Sequence, residues 1–152
     1  MDLGLQGKRA LVLSSSRGLG RGVAESLAAE GADVMLTARG ADRLQAAADA
    51  INAKGKGRAH AFAADLQGET TAIHKAAMDA LGGVDILVAN TGGPPARTAL
   101  NVEPDAWTPQ FEAMVAPIFR SRASCCRGCG NGAGAASSRS RPRAWCSPSP
   151  TS

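Results

Sequence analysis

From Ser14 to Gly22 the chain reads SSSRGLGRG, with Gly18, Gly20 and Gly22 at alternating positions. Their lack of side chains allows backbone N–H groups to approach an anion such as a pyrophosphate, and a helix starting there adds a favourable dipole. Arg17, within the same turn, supplies a cation. Further along come a second arginine, Arg39, then the acid Asp65 with Leu66, and the amide of Asn90 followed by Thr91 and Gly92. Phosphate binding is the chemistry that such a set could do, provided the fold gathers it at one place.

The segments between these residues alternate in character. Lys8 to Leu13 is a short apolar run stopped by three serines, which predicts a buried strand entering a turn. Val23, Ala24, Leu27 and Ala28 then repeat at helical spacing until Gly31, a natural helix stop. The cycle recurs: strand over Ala32 to Thr37, helix over Ala41 to Ala53, strand over Arg58 to Ala64, helix over Glu69 to Leu81, strand over Val84 to Ala89. Strands alternating with long helices predict a parallel sheet covered on both faces. The stretch NTGGPPAR, beginning at Asn90, is expected to be a loop at the carboxyl end of the fourth strand, because its prolines lack donors and its glycines favour turns. A helix from Glu103 to about Phe119 follows, starting near Pro104 and interrupted in an undetermined way by Pro109 and Pro117.

In that frame the glycine turn lies between the first strand and the first helix, the setting in which such a turn holds a dinucleotide. Arg39 follows the second strand, where an acid would hold a ribose 2′-hydroxyl and an arginine can pair with a 2′-phosphate. NADP(H) is thereby favoured over NAD(H). Each residue alone has a plainer use: a strand-to-helix turn, solvated arginines, a helix-capping Asp65, a turn-forming Asn90. Their order and separations together favour the binding site.

These residues resemble the short-chain dehydrogenase/reductase family, in particular its 3-oxoacyl-acyl-carrier-protein reductase-like members. The family turn TGxxxGxG aligns with Leu13, Ser14, Ser15, Ser16, Arg17, Gly18, Leu19 and Gly20, in which the last two glycines match and Leu13 and Ser14 replace the first Thr and Gly. Asp65 with Leu66 corresponds to the acid after the third strand, which in the family reaches the adenine amino group. Ala89, Asn90, Thr91 and Gly92 correspond to the family's NNAG, which implies that Asn90 braces the sheet and that its neighbours line the nicotinamide ribose. The resemblance covers roughly residues 5 to 120. It implies an α/β, Rossmann-type doubly wound parallel sheet of which this chain carries the N-terminal part, in the strand order 3-2-1-4. It also implies a carbonyl substrate, a ketone or 3-oxoacyl group, in intact relatives.

Family chemistry passes a hydride between nicotinamide and substrate while a Tyr moves the proton, helped by a Lys four residues later and a Ser. This chain has no tyrosine, and its last lysine is Lys75, so no catalytic residue is assigned. Met114 occupies the position of the Asn that helps the family's proton relay, and a thioether cannot supply that polar group. The expectation is a nucleotide-binding domain over 1–120 that lacks its catalytic set and does not turn over. The alternative is a non-catalytic nucleotide-binding or regulatory module with an arginine-rich interaction tail.

Residues 121–152 have a different composition. Four cysteines, Cys125, Cys126, Cys129 and Cys146, accompany a glycine-alanine run over Gly128 to Ala136 and an ending in SPSPTS. Residues 1–119 hold 11 Lys plus Arg and all 13 Asp plus Glu, a net of −2, while from Arg120 onward there are six arginines and no acid. The overall charge of +4 therefore comes from the tail. Arginines without interleaved aromatics favour solvated disorder over nucleic-acid binding, and one CxxC pair with no tail histidine favours neither a metal nor a redox site. GC-rich codons for Ser121 onward, read two bases later, can encode a helix end, a turn, a β-strand and a double serine. Any codons for Cys125–Cys126 give a leucine in that frame. The tail is thus expected to be disordered and out of frame, leaving the chain without the helices through which the family forms homo-oligomers. The apolar run near the start is too short for a signal-peptide core, and no stretch approaches membrane-spanning length, so a cytoplasmic protein is expected.

Overall fold

A computed structural model describes residues 3–54, 56–93 and 104–122. The cysteine- and arginine-bearing tail from 123 onward, the prolines of NTGGPPAR and the expected helix start at Glu103 lie outside the described residues.

Four strands, β1 (Arg9–Val12), β2 (Asp33–Ala38), β3 (Ala59–Ala63) and β4 (Ile86–Val88), form one sheet in the order β3-β2-β1-β4, every pairing parallel. Helices α1 (Gly18–Ala29), α2 (Ala41–Asn52) and α3 (Thr70–Leu81) connect them. Successive side chains of a strand point to opposite faces, so a continuously apolar strand feeds two cores at once. Ala10 and Val12 of β1, with Val34 and Leu36 of β2, pack against Ala24 and Ala28 of α1 and Leu44, Ala48 and Ile51 of α2. Leu11, Leu13 and Met35 pack on the other face against Ile73 and Ala77 of α3. The sheet is therefore covered on both sides, as the unbroken apolar runs require.

Element ends follow local chemistry. α1 stops at Gly31, whose φ of +88° favours glycine, and α3 is capped by Gly82 at φ +71°. β4 is shorter than the apolar run suggests, because the Asn90 N–H bonds back to the Val88 carbonyl and turns the chain. Its three residues are only half-buried, and it stands at one edge of the described sheet. At the opposite end of β4 the Arg9 guanidinium grips Asp85 in a forked pair, Nε to Oδ2 and Nη2 to Oδ1 both at 2.8 Å, and Nη1 donates to the Gly82 carbonyl. That guanidinium holds the Asp85 carboxyl below its ordinary range.

The segment expected as one helix over Glu103 to Phe119 is divided into a 3-10 turn over Pro104–Ala106, helix α4 (Trp107–Met114) and a further helical stretch over 116–122. Pro109 lies in the first turn of α4, where a missing N–H is tolerated. Pro117 cannot donate to the carbonyl four residues back, and the interruption falls just before it at Val115. Among the described residues no helix is long and apolar enough to cross a membrane.

Candidate functional site

At the carboxyl end of β1 the chain is tied to both neighbouring strands. The Leu13 N–H donates to the Val88 carbonyl at 3.1 Å, and the Ser15 N–H donates to the Thr37 carbonyl at 2.9 Å. Ser15 Oγ, fully buried, donates to the Val12 carbonyl at 2.9 Å and accepts the Thr37 N–H at 3.0 Å. Asn90 Nδ2 reaches across from the end of β4 and donates to the carbonyls of Ser14 at 3.0 Å and Leu13 at 3.3 Å. The glycine turn is thus held from β2 on one side and from β4 on the other. The Asn90 side chain thereby ties the end of β4 to the turn after β1.

Two turn positions show different demands. Ser14 has a φ of +50°, in the left-handed region that favours glycine, at the position where the family turn carries its first Gly. Gly20 lies in α1 where a Cβ would fall 2.6 Å from the Ser14 carbonyl oxygen and 2.7 Å from Asn90 Nδ2. Only a glycine lets the helix start this close to the turn. Gly18 is different again: its φ is +60°, and a Cβ there would meet open space. Arg17, the N-cap of α1, makes no side-chain cap hydrogen bond, so the first N–H groups of the helix have no partner from it.

A cavity of about 730 Å³ opens at this carboxyl rim of the sheet. The turn contributes Ser14, Ser16, Arg17, Gly18 and Leu19; the end of β2 contributes Arg39; the end of β3 contributes Asp65 and Leu66; the end of β4 contributes Asn90, Thr91 and Gly92. Of the glycines expected to approach the anion, Gly18 lines this cavity, whereas Gly20 and Gly22 do not, the place of Gly20 being in the buried contact just described. Leu19 is 85% exposed and presents an apolar surface at the cavity wall. Asp65 also serves its own loop, its Oδ1 accepting the Gln67 N–H at 3.0 Å and its N–H donating to Glu69. The carboxylate thus closes a turn within its own loop, and the helix-capping use is not observed, since the N-cap of α3 is Glu69.

Other parts of the wall are not signalled by the site motifs. Thr37, and Asp42 with Arg43 at the start of α2, line the same cavity, as do Gln110 and Ala113 of α4. Arg43 carried one available signal, since it follows Arg39 by four residues across a helix start. Nothing in the local pattern announces that α4 closes the far wall, because that depends on where a separate segment packs. Met114 also lines the cavity.

A sequence model of the short-chain dehydrogenases matches residues 8–134. The chain belongs to the short-chain dehydrogenase family. It is 37% identical over 126 residues to the 3-oxoacyl-acyl-carrier-protein reductase FabG of Vibrio cholerae, covering 83% of this chain and 51% of that protein. With the Escherichia coli FabG it shares 35% identity over 118 residues, 78% of this chain and 48% of the relative. Among solved structures, L-sorbose reductase from Gluconobacter frateurii, complexed with NADPH and L-sorbose, superposes with a TM-score of 0.76 at 33% identity, over 84% of this chain and 49% of that one. A short-chain dehydrogenase from Burkholderia cenocepacia in complex with NADP gives 0.71 at 36% identity, over 81% and 51%. The chain spans about half the length of the relatives it matches.

Proposed function

We propose that this chain is the NADP(H)-binding portion of a short-chain oxidoreductase that, in its intact form, reduces a ketone or 3-oxoacyl group. One observation carries the reading: a cavity at the carboxyl rim of a parallel sheet, walled by a glycine turn, the uncapped start of α1 and the cations Arg17 and Arg39. The open space beside Gly18 and the start of α1, which its N-cap side chain does not cap, fit a pyrophosphate, and Arg39 fits a 2′-phosphate. Asp65 would receive the adenine amino group, and Thr91 and Gly92 would lie along the nicotinamide ribose. NADP-bound and NADPH-bound relatives support the same choice of cofactor over NAD(H). When bound, the nicotinamide supplies or accepts a hydride, while the residues of this chain bind and orient it.

The 152 residues contain no tyrosine to move the accompanying proton, and an oriented acid contributes about 10²- to 10⁴-fold. The chain therefore binds cofactor without turning over, and residues beyond Arg120 are read from a shifted frame. Titration of purified chain with NADPH and with NADH, followed by the change in tryptophan and nicotinamide fluorescence, tests the binding. Tighter binding of NADPH is expected, together with no NADPH oxidation on adding a 3-oxoacyl thioester or a ketone. Equal binding of the two cofactors overturns the cofactor assignment; saturable, substrate-dependent oxidation overturns the inactivity. DNA sequencing across codons 115 to 125 and downstream tests the frame, which an intact single frame with no YxxxK downstream would refute.

A further inference from the structure

Helix α4 forms one wall of the cavity through Gln110, Ala113 and Met114, yet its own side chains do little to hold it there. None of its eight residues is buried, and Trp107 and Phe111 are 65% and 63% exposed. Its anchorage lies in the helical stretch over 116–122 that continues it. Pro117 is fully buried, and in the next turn Arg120 reaches the loop after β3, where its Nη1 donates to the Gln67 carbonyl at 3.1 Å.

That loop is a second part of the same cavity, since Asp65, Leu66 and Gln67 all line it. It is closed on itself. The Asp65 carboxylate accepts the Gln67 N–H, the Asp65 N–H donates to the Glu69 carboxylate, and the Glu69 N–H returns to the Asp65 carbonyl at 2.9 Å. The Gln67 carbonyl therefore belongs to a preformed turn, and the bond from Arg120 fastens the α4 side to a fixed point. Arg120 is exposed, so water competes for both groups and the bond adds little to overall stability. Its consequence is local: it sets how far the α4 wall stands from the loop that carries Asp65.

We propose that Arg120 is a positioning residue for the cofactor: by fastening the α4 wall to the Gln67 loop it orders the cavity before a dinucleotide enters. This inference rests on the reading of the cavity as a dinucleotide site. Ordering that is complete before binding leaves more of the contact energy as affinity, whereas a loose wall must be immobilised by the ligand itself.

Calorimetric titration of the full chain and its variants with NADPH tests it. Arg120→Met, which keeps the stem and removes the donors, should weaken NADPH about three- to tenfold with a urea midpoint near wild type, and Arg120→Lys should recover part of the loss. In a Trp145→Phe background Trp107 is the one remaining tryptophan, and its fluorescence anisotropy should fall in Arg120→Met and return on saturation with NADPH. A double-mutant cycle decides whether Arg120 acts through the wall: combined with Gln110→Ala and Met114→Ala, Arg120→Met should lose most of its effect on NADPH affinity. Unchanged NADPH affinity in Arg120→Met overturns the role of Arg120 and leaves the cavity reading standing. A loss that adds in full to that of the wall substitutions also overturns it, as does one matched by a lowered urea midpoint and not eased by lysine, since Arg120 would then support the fold and not the wall. Failure of wild type to bind NADPH removes the cavity reading, and this inference with it.

Discussion

Alanine placed at Gly20 and at Gly22, two residues apart in α1, should change stability in opposite directions. A Cβ at Gly20 would lie 2.6 Å from the Ser14 carbonyl oxygen, 2.7 Å from Asn90 Nδ2 and 3.1 Å from Ser15 Cα. Two of these three atoms belong to the backbone and cannot rotate away, so the turn or the helix start must move by several tenths of an ångström. Overpacking of this kind costs about 1–3 kcal/mol, and a displaced Asn90 amide forfeits hydrogen bonds worth about 0.5–1.5 kcal/mol. Against that stands the gain of about 0.5–1 kcal/mol from replacing a helical glycine. The net expectation for Gly20→Ala is a loss of about 1–3 kcal/mol. At Gly22 a Cβ meets nothing within 4 Å and the residue has no positive φ, so only the gain remains. Urea unfolding followed by circular dichroism separates the two, since slopes of about 1–3 kcal/mol per molar make such differences visible as midpoint shifts. NADPH affinity should fall with Gly20→Ala and stay near wild type with Gly22→Ala. A Gly20→Ala protein as stable as wild type, or two midpoints shifted the same way, would refute the close approach on which the bracing of the turn depends.

Two further outcomes follow from the same geometry. Ser14 holds a left-handed conformation that costs a non-glycine residue about 1–2 kcal/mol, so Ser14→Gly should raise the urea midpoint despite the added freedom of its unfolded chain; a lowered midpoint would show that the serine side chain contributes more than its backbone strain costs. The Asp85 carboxyl is shifted downward by its hydrogen bond from Arg9, so its stabilisation is present above the unfolded pKa and is lost as pH falls through the lower folded value. Asp85→Asn should therefore be less stable than wild type at pH 7, by about 1 kcal/mol or less because the pair is about one-third exposed, and the gap should close as pH falls below about 4, the ordinary carboxylate value, through the lower folded one. A gap that is constant with pH would mean that the charge of Asp85 is not what holds β4 to β1.

The expected strands and the first three helices agree with the structure, because each rests on local periodicity and on the glycines that punctuate it, and the strand order β3-β2-β1-β4 agrees with what the family resemblance implies. Their ends differ by a residue or two where hydrogen bonds outside the pattern intervene, as at Asn90 after β4. The helix expected over Glu103 to Phe119 is broken at Val115, and the sequence carried the cause in Pro117 without saying where the break would fall. At the site, the turn, Arg39, Asp65 and Asn90 were legible because they stand at strand ends, where a parallel sheet brings distant residues together. Arg43, Thr37 and the wall supplied by α4 were not.

By itself the sequence determined the alternation of strand and helix, the glycine turn and the absence of tyrosine, all of which are properties of residue type and spacing along the chain. Only the tertiary structure decided that Asn90 bonds to the carbonyl of a left-handed Ser14, that Gly20 serves helix packing and not the cavity wall, and that Asp42 and Arg43 share a wall with Arg39. Those facts depend on distances between segments far apart in the chain, and such distances are set by how the sheet and helices pack, not by any local pattern.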